Sequence, residues 1–422
     1  MPSQDLVIPP ATRAADPADA SLLPPDDHRA LITRLDLCHF QDDAPGMVFW
    51  HPRGWTVYRV LEDAVRAQVA AAGYREVRTP QLLRRCIWER SGHWGKFHDA
   101  MFAVGEGADE AALKPVSCPG HIQVVRRLAP SWRDLPIRLA ELGLCHRDEA
   151  SGTLHGLMRL RQFTQDDGHI FCTDDQVAAE AERFCRELPA FYRRFGFSEI
   201  SLALSLRPDN RLGDDAWWDR AERELAEVVS GLGLPFEIQP GAGAIYGPKL
   251  EVILRDRRGR PWQCGTIQLD FVMPQRFDLR YVDTGGQRRH VVMLHRALLG
   301  SFERFLGILL EHHGAALPAW LAPEQVAVAP VAARHAEHAG AIVGRLAQAG
   351  LRARLDGNDS LARRIAVAHH DGVPFVAILG DREAAEGTLT VRAGNRQWTE
   401  PAGDAIAALV RRCRPDPEGC AG

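Results

Sequence analysis

The sequence predicts an α+β protein, a large antiparallel sheet flanked by helices and followed by a small α/β domain. Three observations carry this. Between residues 137 and 272, short apolar runs alternate with turn residues, as antiparallel strands do and as a repeating βα series does not. After about Ala322 the texture changes to strand, helix, strand, helix, strand. The 422 residues, 45% hydrophobic and 25% charged with a net charge of −4, suffice for two to three full cores. That composition excludes a disordered chain, a collagen and a basic nucleic-acid coat protein.

In chain order, residues 1–26 are rich in Ala, Pro and Asp, lack periodicity and read as a mobile leader. MPSQDLVIPP has neither the basic start nor the apolar centre of a signal peptide, and no run reaches the roughly 18 apolar residues of a spanning helix. A helix follows Asp27, with His28, Leu31, Ile32 and Leu35 at helical spacing. The stretch APGMVFWHPRGW reads as turn-rich, and a second helix runs from Val57 to about Ala72, ended by Gly73. Tyr74–Thr79 reads as a strand stopped by Pro80. Ile137–Leu144 and Arg159–Phe171 are strands on either side of the polar loop Ser151–Gly156, and Ile200–Leu206 alternates. Leu250–Leu254 and Thr266–Val272 flank the turn Asp256–Gly259 as a hairpin. Arg296–Leu310 reads as a helix, with His312 and His313 near its end, where a cation suits the dipole. The last domain reads as strands at Gln325–Val331, Leu351–Leu355, Val373–Leu379 and Thr388–Arg392. Its helices are Ala332–Ala349, Ser360–His370 and Ala405–Arg412. His335 and His338 are expected on a solvated face.

Nine cysteines, an odd number without a CxxC pair, point to reduced thiols and a cytoplasmic protein. Arginine occurs 48 times and lysine three times, at Lys96, Lys114 and Lys249. Where arginine replaces lysine so freely, a retained lysine marks a place where the planar guanidinium is unsuited, unless it is chance.

The segment GAGAIYG imitates a dinucleotide loop, but its third glycine is one place late and a strand follows Pro248. The segment ELGLCHRDEASGTLHGLMRLRQFTQDDGHIF carries more chemistry. It is a strand, a loop and a strand bearing Arg147, Glu149, Arg159, Gln165, Asp166, Asp167 and His169. Two arginines on adjacent strands suit a polyphosphate, Glu149 suits an exocyclic amine, and Phe163 offers a π-face to a base. A solvated hairpin with routine ion pairs has the same residues.

Arg147-Asp148-Glu149 after a strand resembles the second signature motif of class II aminoacyl-tRNA synthetases. Gly73-Tyr74 through Pro80 resembles the first, and Gly300-Ser301-Phe302-Glu303-Arg304 the third. SCPGH (117–121), LHGLMR (154–159), FTQDDGHIFCT (163–173), YGPK (246–249), QCGTIQLDF (263–271) and HRALLGS (295–301) are similar, in order, to the threonyl-tRNA synthetase family. The resemblance covers about Asp27 to Val410 and implies a class II catalytic core over 27–320 and an anticodon-binding-type domain over 321–422.

It further implies a zinc ion held by Cys118, His169 and His295, although their spacing alone carries no zinc signal. It places the substrate hydroxyl on Asp167 and the amino group on Tyr246 and Gln165. For ATP with Mg²⁺ it places Arg147 on the α-phosphate, and Arg159 and Arg304 on the β- and γ-phosphates. Phe163 and Glu149 meet the adenine, and Gln263 the ribose. Arg147 and Arg304 are the expected catalytic cations. His93 is the expected proton acceptor when threonine moves to the end of tRNA(Thr), or else a structural histidine packed among aromatics. A homodimer is implied, with Gly73–Pro80 at its interface.

The chain departs from the family in two ways. Only about 26 residues precede the core, so a form without the N-terminal editing domains is expected. Residues 322–422 hold 12 Arg, no Lys and 12 acidic residues, which leaves Asn358, Glu386 and Arg392 as candidate anticodon contacts. Delivery of activated threonine to an acceptor other than tRNA, such as a carrier protein, is the other reading.

Overall fold

The computed structural model describes residues 23–357 and 359–415. The leader expected over 1–26 therefore falls almost entirely outside the described residues, as does Asn358.

The first domain is built on an eight-stranded sheet. In chain order its strands are β1 (Arg75–Glu76), β2 (Ile137–His146), β3 (Gln162–Cys172), β4 (Ile200–Ser205), β5 (Phe236–Gln239), β6 (Lys249–Arg255), β7 (Pro261–Asp270) and β8 (Val292–Ala297). Their spatial order is β5-β4-β6-β7-β8-β3-β2-β1. The six central strands pair antiparallel, and only the two edge pairings, β5–β4 and β1–β2, are parallel. One face is covered by helices Pro52–Ala71, Val177–Arg193, Asp215–Gly231 and Phe302–His313, whose buried leucines, valines and phenylalanines form the main core with the strands. A smaller apolar cluster lies under helix Cys118–Leu128.

The second domain has a five-stranded sheet. In spatial order its strands are Ala353–Leu355, Val326–Pro330, Phe375–Leu379, Thr388–Ala393 and Arg396–Pro401, the first three parallel and the last two antiparallel. Its helices Ala336–Gln348 and Ala402–Arg412 pack on a core of its own, distinct from the first domain's. Strand Arg396–Pro401 and the short helix Asp381–Glu386 have no counterpart in the sequence reading.

Several boundaries differ from expectation for identifiable reasons. The second helix starts at Pro52, five residues early. Proline suits a first turn, and Gly54 lets the helix press against the Leu37 carbonyl, which a Cβ there would meet at 1.9 Å. The strand expected over Tyr74–Thr79 pairs only at Arg75–Glu76.

The helix expected over Arg296–Leu310 is corrected. Arg296 belongs to β8, and the helix runs Phe302–His313 with Ser301 as its N-cap. The intervening turn is held by Asp166, which accepts the N–H groups of Leu298, Leu299 and Gly300 at 2.5, 3.0 and 3.0 Å.

His312 and His313 are not the cations expected. Burial lowers both pKa values, that of His313 to about 4, and the His313 ring donates to Phe195 O at 2.7 Å. His335 is buried rather than solvated and lies 3.1 Å from Asp381.

Candidate active site

The site lies on the open face of the sheet where β2, β3, β7 and β8 meet. Strand residues alternate between faces. Gln165, Asp167 and His169 of β3 therefore share the site face, while Asp166 turns into the core to hold the 298–300 turn. Register does the rest. His169 lies directly opposite His295, His295 opposite Gln268, and Gln268 opposite Lys249.

His169 Nε2 and His295 Nδ1 are 3.1 Å apart. Cys118, the first residue of helix Cys118–Leu128, completes the group, with all three ligand atoms within 4.8 Å of one another. Each imidazole is oriented from behind. His295 Nε2 lies 2.8 Å from Asp270 Oδ2, and His169 Nδ1 lies 2.8 Å from His121 Nδ1. The two ring nitrogens thus converge with each ring's other nitrogen already engaged. A thiol and two imidazoles are a suitable three-ligand donor set for zinc. Burial, and secondarily the charges of Asp167 and Asp270, push the Cys118 thiol well up. Burial and neighbouring cations push the His169 imidazole well down.

The sequence Ser117-Cys118-Pro119-Gly120-His121 fits this place residue by residue. Pro119 suits a first helical turn. A Cβ on Gly120 would come within 2.8 Å of the Thr79 side chain, and one on Gly143 within 2.4 Å of Ser117 Oγ and 3.5 Å of Asp167 Oδ2. Glycine at 143 thus opens the floor between Ser117 and Asp167.

The expected threonine-binding residues surround the trio. Tyr246 packs its ring 5.3 Å from that of His295 and donates to Gln268 Oε1 at 2.9 Å. Gln165 Oε1 accepts from Cys145 Sγ at 3.5 Å. His93 sits beside them, 2.7 Å from Ser91 Oγ with its ring near Trp88 and Phe97. Its pKa is lowered, first by burial and then by cations that include His295 and Arg147.

Arg147 follows the end of β2. Its Nε donates to Pro115 O at 3.3 Å, and its guanidinium lies over the Phe163 ring at 5.0 Å. Arg159 and Glu149, expected on phosphate and adenine, are each other's partners here, with Nη2 to Oε2 at 2.8 Å. Arg304 leaves the first turn of helix Phe302–His313 and donates to the Gln263 carbonyl; burial lowers its pKa. Gln263 in turn donates to Glu251.

Glu386 and Arg392 lie in the other domain, away from this site. Glu386 is 3.9 Å from Arg382, and Arg392 Nε donates to Gly394 O at 3.2 Å. The residues that the sequence reading left without a role are those behind the site: Glu141, Asp270, His121 and Glu303, which binds the Thr164 N–H with both oxygens. His121 and Asp270 stood inside quoted motifs, and Lys114 was conspicuous by composition. Glu141 opened the quoted strand–loop–strand segment but was assigned no role there.

Comparison with known proteins agrees with this geometry. Residues 102–313 match the family model "tRNA synthetase class II core domain (G, H, P, S and T)", and residues 325–410 match "Anticodon binding domain". The chain is 50% identical over 391 residues to a threonine--tRNA ligase of Cupriavidus necator, covering 92% of this chain and 61% of that protein. It is 47% identical over 389 residues to one of Dichelobacter nodosus, covering 92% and 60%. The chain thus spans about 60% of the length of the curated relatives it matches. The crystal structure of the RNA binding domain of a threonyl-tRNA synthetase from Cryptosporidium parvum superposes with a TM-score of 0.89 at 36% identity, covering 92% of this chain and 99% of that one. A putative threonyl-tRNA synthetase from Aeropyrum pernix gives 0.80 at 27%. From the sheet, the convergence of Cys118, His169 and His295 and these matches together, the chain belongs to the threonyl-tRNA synthetase family of class II aminoacyl-tRNA synthetases.

Proposed function

We propose that the protein is a threonine--tRNA ligase. It activates L-threonine with ATP to threonyl-adenylate, releases pyrophosphate, and transfers threonine to the 3′ end of tRNA(Thr). The observation that carries this reading is the convergence of Cys118, His169 and His295 beside Asp167 and Tyr246 on one sheet face. Cys118, His169 and His295 would hold the zinc, which when bound would supply a Lewis acid for the amine and hydroxyl of the substrate, a match that isosteric valine lacks.

The chain's own residues do the rest. Asp167 accepts the substrate hydroxyl's hydrogen bond, and Tyr246 and Gln165 hold the amino group. Arg147, kept in place by Pro115 O and the Phe163 ring, faces the α-phosphate, where charge develops as the carboxylate attacks. Arg304 and Arg159 take the outer phosphates with Mg²⁺, Arg159 exchanging Glu149 for phosphate oxygens while Glu149 turns to the adenine amine. Phe163 and Gln263 line the base and ribose. His93, neutral at pH 7 because its pKa is lowered, has a lone pair to accept the proton of the tRNA hydroxyl.

The protein acts as a cytoplasmic homodimer, with residues 73–80 at the interface. Among the described residues no helix is long and apolar enough to cross a membrane, and no cysteine is in a disulfide. The match of residues 325–410 to an anticodon-binding family supports tRNA, rather than a carrier protein, as the acceptor. Asn358, Glu386 and Arg392 are its proposed base contacts.

The test is ATP–pyrophosphate exchange with threonine, serine and valine, followed by charging of tRNA(Thr). Threonine-dependent exchange with threonylation of tRNA(Thr) is expected. Exchange without charging would overturn the tRNA assignment, and no exchange would overturn the enzyme.

A further inference from the structure

Lys114 is completely buried, in a chain with 48 arginines and three lysines. Its Nζ donates to Glu141 Oε1 at 2.7 Å and to Thr79 Oγ1 at 3.1 Å. Thr79 donates to the same carboxylate, from its backbone N to Oε1 at 2.9 Å and from its hydroxyl to Oε2 at 2.8 Å. His121 Nε2 lies 3.1 Å from Oε2, and His121 Nδ1 lies 2.8 Å from His169 Nδ1. The other nitrogen of His169 is the one that faces His295.

The protons follow by elimination. An ionised carboxylate only accepts. Burial raises the Glu141 pKa, but the bonds from His121, Lys114 and Thr79 more than offset it and hold the group at about 2. The proton between His121 and Glu141 is therefore on His121 Nε2. For His169 Nε2 to serve the metal it must be a bare lone pair, so His169 carries its proton on Nδ1 and donates it to His121 Nδ1, 2.8 Å away. The lone pair on Nε2 is then aimed at His295 Nδ1.

We propose that Lys114, Glu141 and His121 are positioning residues that hold His169 as its Nδ1–H tautomer, committing Nε2 to the metal. The proposal rests on the zinc reading above. A compact ammonium suits the end of this chain, where a single nitrogen reaches both Glu141 Oε1 and Thr79 Oγ1.

Glu141→Gln tests it with almost no change of shape. A glutamine oxygen must face Lys114 and the Thr79 N–H, so its amide nitrogen faces His121. That inverts the His121 tautomer, makes His121 Nδ1 the donor and moves the His169 proton to Nε2, where it blocks the metal. Zinc affinity, measured by competition with a chromogenic chelator, should fall roughly ten- to hundredfold in this variant, with the far-UV circular dichroism unchanged. In the unsubstituted, zinc-loaded protein, histidine ¹⁵N shifts should show His121 protonated at Nε2 only and His169 at Nδ1. This second measurement decides the matter if the variant fails to fold. Less than one zinc per chain in the unsubstituted protein overturns the zinc reading itself. One zinc per chain with unchanged affinity in Glu141→Gln, or with His121 cationic or protonated at Nδ1, overturns the relay and leaves zinc in place.

Discussion

The two domains use charge in opposite ways. In the first, Lys114, Glu141, Asp166, Asp270, Arg296 and Glu303 are all buried, each hydrogen-bonded or ion-paired. In the second, among the described residues, no Asp, Glu, Lys or Arg is buried, and the interior is Val, Ala, Ile and Leu. Burying charge is costly unless it is fully paired. The first domain bears that cost behind the candidate site, where these groups fix the histidines, the 298–300 turn and the Thr164 N–H. Several of the second domain's cations are also turned inward or paired: Arg354 meets Glu324, Asp356 and Asp371, and Arg352 donates to the Trp320 and Ala322 carbonyls. Buried charge is thus concentrated in one domain, and the other, with 12 Arg and 12 acidic residues over 322–422, is electrically neutral.

If that division is right, substitutions at the two places should separate activation from charging. Cys118→Ala should remove zinc and reduce threonine-dependent pyrophosphate exchange by at least about a thousandfold, without altering C-terminal domain folding. Metal analysis and exchange rates would check it; a zinc-free yet active variant would break the comparison. Arg147→Ala should lower exchange on the order of a hundred- to a thousandfold, mostly in kcat, since the role proposed for its cation is to meet charge that develops in the transition state.

Specificity gives the next largest effect. Serine keeps the hydroxyl and loses one methyl, so its kcat/KM for activation should be about 10–200-fold below that of threonine, with valine lower still. Equal use of valine would show that the hydroxyl is not what the pocket reads.

A smaller effect is expected in stability. Burial raises Glu303 from 4.5 to about 7. A raised folded-state pKa stabilises most below the unfolded value and loses that contribution as pH rises through the folded one. The first domain should therefore lose on the order of 1 kcal/mol between pH 6 and pH 8 from this group, and Glu303→Gln should flatten the slope. The second domain, with no buried carboxylate among its described residues, should melt with little pH dependence; calorimetry against pH tests both. Smallest of all, Arg392→Ala should leave pyrophosphate exchange unchanged and raise the KM for tRNA a few-fold. A large fall in exchange would show that the domains are not separable in this way.

Much of the fold was legible because its cause is local. Alternation along residues 162–172 and 200–205 specified strands, and Asp27 and Ser360 marked helix starts that the structure keeps. Errors fell where a distant group overrides local preference. Arg296 reads as helical by its neighbours, but Asp166 holds the N–H groups of Leu298, Leu299 and Gly300 and leaves Arg296 in a strand that ends at Ala297. His312 and His313 read as exposed cations until Phe195 and Phe197 close over them. The convergence of Cys118, His169 and His295 was expected only by resemblance, since 51 and 126 residues separate them and no spacing rule spans such gaps.

By itself the sequence determined the face on which each strand residue lies, since alternation has a fixed period of two. It therefore put Gln165, Asp167 and His169 together and sent Asp166 the other way. It also determined the division into an antiparallel core and a neutral α/β domain. Only the tertiary structure decided what those residues meet. The pairing of His169 with His295, the approach of Cys118 through Gly120 against Thr79, and the chain from Lys114 to His121 all depend on strand register and helix packing between segments far apart in sequence. Register is set by the summed burial of whole strands, which no single residue encodes.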